Sequence, residues 1–515
     1  MSPLTAGNSY WMESVAPTPH PELTEDLDVD VCIVGGGITG LLCAFELSEA
    51  GQRVAVLERR RVASSVTGHS TAKLTSQHGM RYLRLTRERG ADVARAYGRA
   101  NQEALRRIQR IASELGVDDA VQARDAYVYG TDPDSVDALR AEAEAAADAG
   151  LPASFTTDVP VPFPTVGAVR FADQAQLHPR RLLVPLADAL AARGVRIFES
   201  SRAKSIGRDD RWTVTSEKGS VRSDSVVVAA LTPTAGAGDE LWERLYCHQG
   251  FAVALPLRDG ASAPGGVLIS YERPMRSLRT IERPEGTMLQ VGGAAYVEDP
   301  NTGAEPYDDL EAWAREHFDV GAAQYRWTTQ DDSTSDGVPL IGALDDGLYI
   351  ATGFGGWGLT TAGVAAAIVR DLIAGGGTSD DYRWVFDPGR TLAPVDSALI
   401  SARTSSGTDR DANDIVRALK AGEAAVVRSG GEQLAVHRGE DGELQVVSAV
   451  CTHAGCIVLW DHAQSEWGCP CHGSRFAPDG AVVHGPAEAP LQDLRHLLAG
   501  EGTDERSAAG QDSGS

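Results

Sequence analysis

Residues 29–58 read VDVCIVGGGITGLLCAFELSEAGQRVAVLE: an apolar strand, a glycine turn, a helix and a second apolar strand. That succession dictates a βαβ unit, because a short apolar run feeding glycines and then an amphipathic stretch closes only as two parallel strands joined by a crossover helix. Gly35, Gly37 and Gly40 carry the GxGxxG spacing. The first allows the tight turn, the second lets a pyrophosphate approach the backbone, and the third lets helix and strand pack closely. The helix that opens with Ile38 and Thr39 turns its free amides and positive dipole end toward the phosphates. Glu58 ends the second strand, followed by Arg59. A carboxylate there accepts hydrogen bonds from adenosine ribose hydroxyls and repels a 2′-phosphate, so a dinucleotide other than NADP is expected.

At 515 residues the chain exceeds what one hydrophobic core organises, so two or three domains are expected. No apolar run reaches the roughly 18 residues of a membrane helix. Residues 1–24 are polar and proline-bearing, without the basic and then apolar segments of an export signal, and a cytoplasmic location is expected. A formal charge of −25 repels phosphates, which argues against nucleic acid as a partner. Of seven cysteines, Cys32, Cys43 and Cys247 are scattered among apolar neighbours. Cys451, Cys456, Cys469 and Cys471 crowd together near the C-terminus, as ligands of a metal site do.

Over residues 28–385 the chain resembles the D-amino-acid oxidase and glycine oxidase superfamily of flavoproteins, through three further segments. Residues 64–79, SSVTGHSTAKLTSQHG, follow the second strand and are rich in hydroxyls and small residues, as is the family segment that wraps flavin. Residues 336–342, DGVPLIG, look like the family's turn before its last flavin-domain strand. Residues 348–361, LYIATGFGGWGLTT, form a strand and glycine loop leading into a helix over 361–374 whose N-terminus, in the family, points at the flavin's pyrimidine edge. The resemblance implies FAD, with Thr67, His69, Ser70, Thr71, Ala72, Lys73, Gly353, Gly355, Gly356, Trp357 and Gly358 as further cofactor contacts. Gly353, Gly355 and Gly358 repeat the GxGxxG spacing, but no acid-terminated strand follows, so one dinucleotide is expected and not two. Some dimethylglycine-oxidising relatives attach FAD through a histidine in a similar segment. There it falls one position later than His69, where this chain has Ser70, so a non-covalent flavin is expected.

The resemblance also implies an amine or amino-acid-like substrate that passes a hydride to the flavin. Arg279, in SLRTIERPEGTMLQVGG, occupies a place comparable to the family's carboxylate-binding arginine, whose fork donates two parallel hydrogen bonds. Arg276 and Arg283 are its alternates, and His248 and Trp357 are further candidates for the cavity wall. A surface arginine and a structural histidine remain the plainer alternatives.

Residues 451–474 contain CTHAGC and CPCHGS. Cys451 with His453, and Cys469 with His472, give the CxH and CxxH pairs of a Rieske centre, two thiolates on one iron and two imidazoles on the other. Such a cluster has a potential of about −150 to +300 mV. A zinc knuckle would use the same ligand types, but Gly473, Ser474, Gly485, Pro486 and Pro490 follow the Rieske pattern. Cys456 and Cys471 match the extra pair that forms a disulfide in Rieske proteins of the cytochrome bc type, and the resemblance implies that bond here. Ser474 matches the serine that donates to a cluster sulfide, while Phe476 replaces a tyrosine that bonds a ligand sulfur.

The expected fold is therefore an α/β FAD-binding domain, Rossmann-like and of glutathione-reductase type, with an antiparallel β substrate domain inserted and a small all-β Rieske domain. The expected boundaries are an N-terminal extension over 1–27; FAD-binding pieces 28–115, 171–235 and 335–385; substrate pieces 116–170 and 236–334; a linker over 386–412; the Rieske domain over 413–495; and a tail over 496–515. Flavin takes electrons in pairs and the cluster moves them singly, so the expected activity is a dehydrogenase whose electrons leave through the cluster to an unidentified one-electron acceptor. An O2-using oxidase with a regulatory cluster, and an electron-transfer module without an organic substrate, stay open at this level.

Overall fold

The computed structural model describes residues 5–6, 8–231, 237, 241, 244–294, 306–392, 412–429, 431–453, 455–461, 465–471, 473–485 and 487–497. His472, Pro486, most of the expected linker and nearly all of the expected tail lie outside the described residues. The chain divides into two compact units that meet in sequence near residue 395.

In the larger unit the strands Val31–Val34, Val54–Leu57, Arg196–Phe198, Ser225–Val228, Leu340–Asp345 and Leu348–Thr352 form one six-stranded sheet. Its pairings are parallel except the last two strands, which are antiparallel. The first two strands and Ser225–Val228 are buried at every position, as a sheet covered on both faces requires. Helix Ile38–Glu49 crosses between the first two and stops where Gly51, at φ +82°, takes the left-handed turn. Helix Gly358–Ala374 packs on it and on helix Ala91–Glu114. It begins three residues earlier than the sequence pattern suggests, because Trp357 and not a hydroxyl residue stands at its N-cap.

A second, larger sheet runs in the order Thr5–Ala6, Tyr325–Thr334, Leu245–Pro256, Met288–Ala294, Ser277–Ile281, Val267–Ser270, Val121–Gly130, Gly167–Leu177 and Lys73–Leu74. Ala153–Thr156 also pairs with Gly167–Leu177. It is mixed and not purely antiparallel, since Val267–Ser270 runs parallel to Val121–Gly130 and Thr5–Ala6 parallel to Tyr325–Thr334. Strand Gly167–Leu177 straddles the expected boundary at residue 170. Its outer neighbour Lys73–Leu74 comes from within residues 64–79, so that segment is tied into this sheet.

In the smaller unit the strands Ala424–Ser429, Glu432–Arg438 and Leu444–Ser448 form an antiparallel sheet. Strands Leu459–Asp461, Glu466–Gly468, Arg475–Phe476 and Val482–His484 form a second. Alternation in the first sheet serves two cores: Leu434 and Val436 pack with Val416 of helix Ala412–Ala418, while Ala435 and Val447 pack with the cysteines and Trp467.

Candidate functional site

At the head of helix Ile38–Glu49 each glycine has a measurable reason. Gly35 sits at φ +115°, and a Cβ on it would lie 2.7 Å from the Ala229 carbonyl oxygen. A Cβ on Gly40 would lie 1.9 Å from the Gly35 carbonyl oxygen, so the helix packs on the turn only because that atom is missing. A Cβ on Gly37 would meet only Thr67 Oγ1, at 3.1 Å, which leaves a cradle above the helix N-terminus. Ile38 N donates to the same Thr67 oxygen at 3.2 Å, and Thr39 is buried in the first turn. Glu58 is buried and accepts from Gly36 N at 2.7 Å and from Arg60 N at 2.8 Å. Burial raises its pKa above the usual carboxylate value, and the two amides oppose that rise. Arg59 beside it is half-buried. A cradle lined by amides with an acid at the end of the second strand fits the pyrophosphate and ribose of a dinucleotide.

The segment after Glu58 crosses one face of the large sheet and is held at nearly every carbonyl. Ser9 Oγ donates to Gly68 O, and Trp11 Nε1 donates to Ser70 O at 2.8 Å. Trp327 Nε1 donates to His69 O at 2.9 Å, and Gln290 Nε2 to Thr71 O at 3.2 Å. Thr71 lies against Gly292, where a Cβ would come within 3.2 Å of its methyl. Ala72 takes a left-handed φ of +58°, an unusual position for a side-chain-bearing residue. It is held there through its amide by Ser70 Oγ at 3.0 Å and through its carbonyl by Arg279. Lys73 Nζ donates to Ser277 Oγ, and burial, reinforced by Arg279, lowers the lysine's pKa to about 7. Further on, Thr75 exchanges hydrogen bonds of 2.9 Å with Thr360 of helix Gly358–Ala374.

The glycine loop before that helix meets the end of strand Tyr325–Thr334. Gly355 N donates to Asp332 O at 2.9 Å and Gly356 N to Asp331 Oδ2 at 2.6 Å. Gly353 and Gly355 hold left-handed φ values of +74° and +60°. Trp357 stacks on His78, with ring centroids 4.7 Å apart and planes at 21°. His78 is buried between Tyr97 OH at 2.6 Å and Thr75 O at 2.8 Å, and burial lowers its pKa to about 3. It is therefore a neutral ring that donates to Thr75 and accepts from Tyr97. His248 pairs across from Asp331, with Ser333 Oγ at 3.4 Å from its Nδ1.

Arg279 differs from the sequence expectation of a free fork. Its Nη1 donates to the carbonyls of Ala72 and Leu177, its Nε donates to Thr280 O, and its guanidinium lies over the Trp11 ring at 5.0 Å. Arg276 is paired with Asp309 at 2.6 Å and Arg283 with Glu285 at 3.2 Å. Arg279 is buried among the carbonyls of Ala72, Leu177 and Thr280, which come from three different stretches of chain. The sequence left the role of Ser9, Tyr10 and Trp11 open, with core packing as one reading, and gave no role to His78, Asp331 or Asp332. Two adjacent acids within a strand, in YRWTTQDDST, were the available signal for the last two.

In the smaller unit Cys451, Cys456, Cys469 and Cys471 are all buried. Cys456 and Cys471 form a disulfide with Cα atoms 6.4 Å apart, joining the two loops. One potential ligand atom each of Cys456, Cys469 and Cys471 lies within 4.8 Å of the others. The loops turn back on themselves through Gly455 N to Cys451 O and Gly473 N to Cys469 O, both 2.9 Å. His453 is half-buried, and burial lowers its pKa, which favours the neutral imidazole that ligates metal. Ser474 Oγ accepts from Ala487 N at 3.0 Å, so its own hydrogen points elsewhere. Phe476 is fully buried. Two buried thiols and a neutral imidazole on disulfide-joined loops fit an iron–sulfur cluster, with the fourth ligand position, His472, outside the described residues.

The profile of the FAD dependent oxidoreductase family matches residues 30–372, and that of the Rieske [2Fe-2S] domain matches residues 414–495. The chain belongs to the FAD dependent oxidoreductase family. Its cofactors are FAD and, in the smaller unit, a Rieske [2Fe–2S] cluster, which sets aside the zinc alternative. The Bacillus subtilis (strain 168) protein YhfW, named for a Rieske 2Fe-2S iron-sulfur assignment, is 32% identical over 501 residues, covering 95% of this chain and 98% of that one. Gamma-glutamylputrescine oxidoreductase of Escherichia coli (strain K12) is 26% identical over 77% of this chain and 96% of its own. Among solved structures, L-proline dehydrogenase from P. horikoshii superposes with a TM-score of 0.59 at 19% identity, over 70% of this chain and 97% of that one, a likeness of fold. The chain is thus an FAD oxidoreductase with a Rieske domain. Among the described residues no helix is long and apolar enough to cross a membrane.

Proposed function

We propose that this oxidoreductase is a dehydrogenase that oxidises a small amine or amino-acid-like substrate and passes the electrons on singly through its Rieske domain to an external acceptor. The observation that carries this reading is the presence of both cofactor sites in one chain. FAD supplies a two-electron hydride acceptor and the Rieske cluster a one-electron carrier.

The chain's own residues hold and tune these groups. Glu58 takes the ribose hydroxyls, and the amides at the head of helix Ile38–Glu49 take the pyrophosphate. Residues 67–73 wrap the ring system, fixed by Trp11, Trp327, Gln290 and Arg279. Gly356, Trp357 and Gly358 would bring the N-terminus of helix Gly358–Ala374 to the flavin, where its dipole would favour negative charge. His248 and Trp357 line the substrate side. Ser474, with its hydrogen free of the Ala487 contact, is the donor toward the cluster.

The test is anaerobic stopped-flow mixing with a panel of amines and amino acids, followed by low-temperature electron paramagnetic resonance. A substrate should bleach the flavin band before the reduced Rieske signal grows. Flavin bleaching with no later Rieske signal, or rapid peroxide formation in air by a cluster-less variant, would overturn the dehydrogenase assignment.

A further inference from the structure

The strand that leads into the second cysteine loop carries a buried donor with no acceptor in the protein. Trp467, at the centre of strand Glu466–Gly468, is fully buried, and its indole Nε1 is shielded from solvent and has no hydrogen-bond partner. Buried polar atoms are nearly always satisfied, so an orphan N–H in a packed core calls for an acceptor. Glu466 and Gly468 on either side are only partly buried, so the strand alternates and turns the Trp467 side chain inward.

Inward means toward the cysteines. Trp467 packs in one apolar cluster with Cys451, Cys456, Cys469 and Cys471. Cys469 follows two positions later, and its amide donates to Ser474 O at 2.7 Å, so the pairing with strand Arg475–Phe476 continues into the loop. Residues two apart on an extended strand face the same side, which puts the indole on the side of the Cys469 thiol. Directly opposite Trp467 stands Phe476, fully buried and without a polar atom. Arg475 turns to the other side, where Asp461 and Glu466 take its guanidinium at 3.0 and 2.7 Å. Trp460, opposite Trp467 on the other flank, meets it edge-on with centroids 4.8 Å apart and planes at 64°, and itself stacks on His437 at 4.4 Å. The ring is thus held between neighbours on both flanks. Among the side chains of its cluster only the sulfurs can accept from the N–H.

We infer that the Trp467 indole N–H donates to a sulfur of the [2Fe–2S] cluster, ligand thiolate or bridging sulfide, and raises the cluster's reduction potential. Reduction adds one negative charge to the cluster, and a hydrogen bond to a more negative acceptor is stronger, so the donor favours the reduced form over the oxidised. Hydrogen bonds to the sulfurs are among the quantities that set the potential of such clusters. Trp467 tunes the cluster without ligating iron. It acts whatever substrate reduces the flavin, so the inference stands apart from the amine-oxidation proposal.

The experiment is a redox titration of the full-length protein with both cofactors, read by the electron paramagnetic resonance signal of the reduced cluster. Two replacements are compared with the parent. Trp467→Phe removes the N–H together with part of the ring, whereas 3-benzothienylalanine incorporated at position 467 keeps the bicyclic shape and puts sulfur in place of the N–H. The expected result in both is an equilibrium constant for reduction about tenfold smaller, which for one electron is a midpoint lower by about 59 mV, with iron content unchanged in the benzothienylalanine protein. A benzothienylalanine protein that keeps its iron and titrates at the parent midpoint, or above it, would overturn the inference, because it retains the packing and lacks only the donor. Loss of iron from that protein would overturn it as well, in favour of a purely structural ring.

Discussion

Replacing Arg279 by methionine separates a structural arginine from a substrate anchor. The guanidinium makes three hydrogen bonds to carbonyls, and charge-assisted bonds of this kind contribute about 1.5–3 kcal/mol each. Against them stands burial, which lowers the pKa from 12.5 to about 9, a cost on the order of 5 kcal/mol for keeping the charge at neutral pH. The net contribution is then a few kcal/mol. In Arg279→Met the aliphatic volume stays and the burial cost disappears. Ala72 O keeps the Leu177 amide at 3.1 Å, whereas Leu177 O and Thr280 O lose the arginine as donor. A loss of about 3 kcal/mol follows, which for a unit of this size lowers the first thermal transition by about 3–6 °C. Because Ala72 is held in a left-handed conformation partly by this arginine, flavin content should also fall. Lys73, freed of a neighbouring positive charge, should titrate higher than about 7. The assay is differential scanning fluorimetry beside flavin quantification and steady-state kinetics. A variant that melts like the parent and keeps its flavin, but loses affinity for carboxylate-bearing substrates alone, would refute this reasoning and restore the anchor role.

Three further outcomes are expected. Gly37→Ala should fold and lose FAD, since its Cβ meets only Thr67 Oγ1, whereas Gly40→Ala should fail to fold, its Cβ falling 1.9 Å from the Gly35 carbonyl oxygen; thermal melts and flavin absorbance distinguish the two. His178 caps helix Pro179–Ala192 and contacts Ser14, and burial lowers its pKa to about 3. A depressed folded pKa means that its stabilisation is present above the unfolded value near 6.5 and drains away as pH falls toward 3, by about 2 kcal/mol between pH 7 and 5. Denaturant titrations of His178→Gln should show an acid-side slope shallower by that amount, and an unchanged slope would contradict the assignment. Replacing Cys456 and Cys471 together by serine removes a crosslink spanning 15 residues, which should cost the smaller unit about 3 kcal/mol and lower its retained iron, read by chemical denaturation and iron content.

The βαβ unit and the cysteine–histidine pairs were legible because their chemistry is local: each glycine, acid or ligand acts through neighbours a few positions away. What the sequence concealed is long-range. Lys73–Leu74 looks like part of a loop, yet pairs with Gln176 and Ala175 a hundred residues on. Trp11 carries no motif, yet its indole donates to the Ser70 carbonyl 59 residues on. Arg279 reads from sequence as an anion site, and only the fold reveals that the carbonyls of Ala72, Leu177 and Thr280 accept from it.

The crossing segment ties together two sheets that share one core, and on the proposed function it would present a rigid surface to a flavin. A glycine- and hydroxyl-rich stretch such as residues 64–79 has little apolar area with which to fix itself, and left alone it would sample many conformations. Here the neighbouring elements supply donors to its carbonyls from three directions: Ser9 and Trp11 at the helix Tyr10–Ser14, Trp327, Gln290 and Arg279 on the large sheet, and Thr360 on helix Gly358–Ala374. Buried backbone carbonyls must find donors, so the same bonds that satisfy the segment also fix the spacing between sheet and helix. A flavin bound to such a surface meets dipoles already in place, and that preorganisation lets the site respond to charge on the ring without first rearranging.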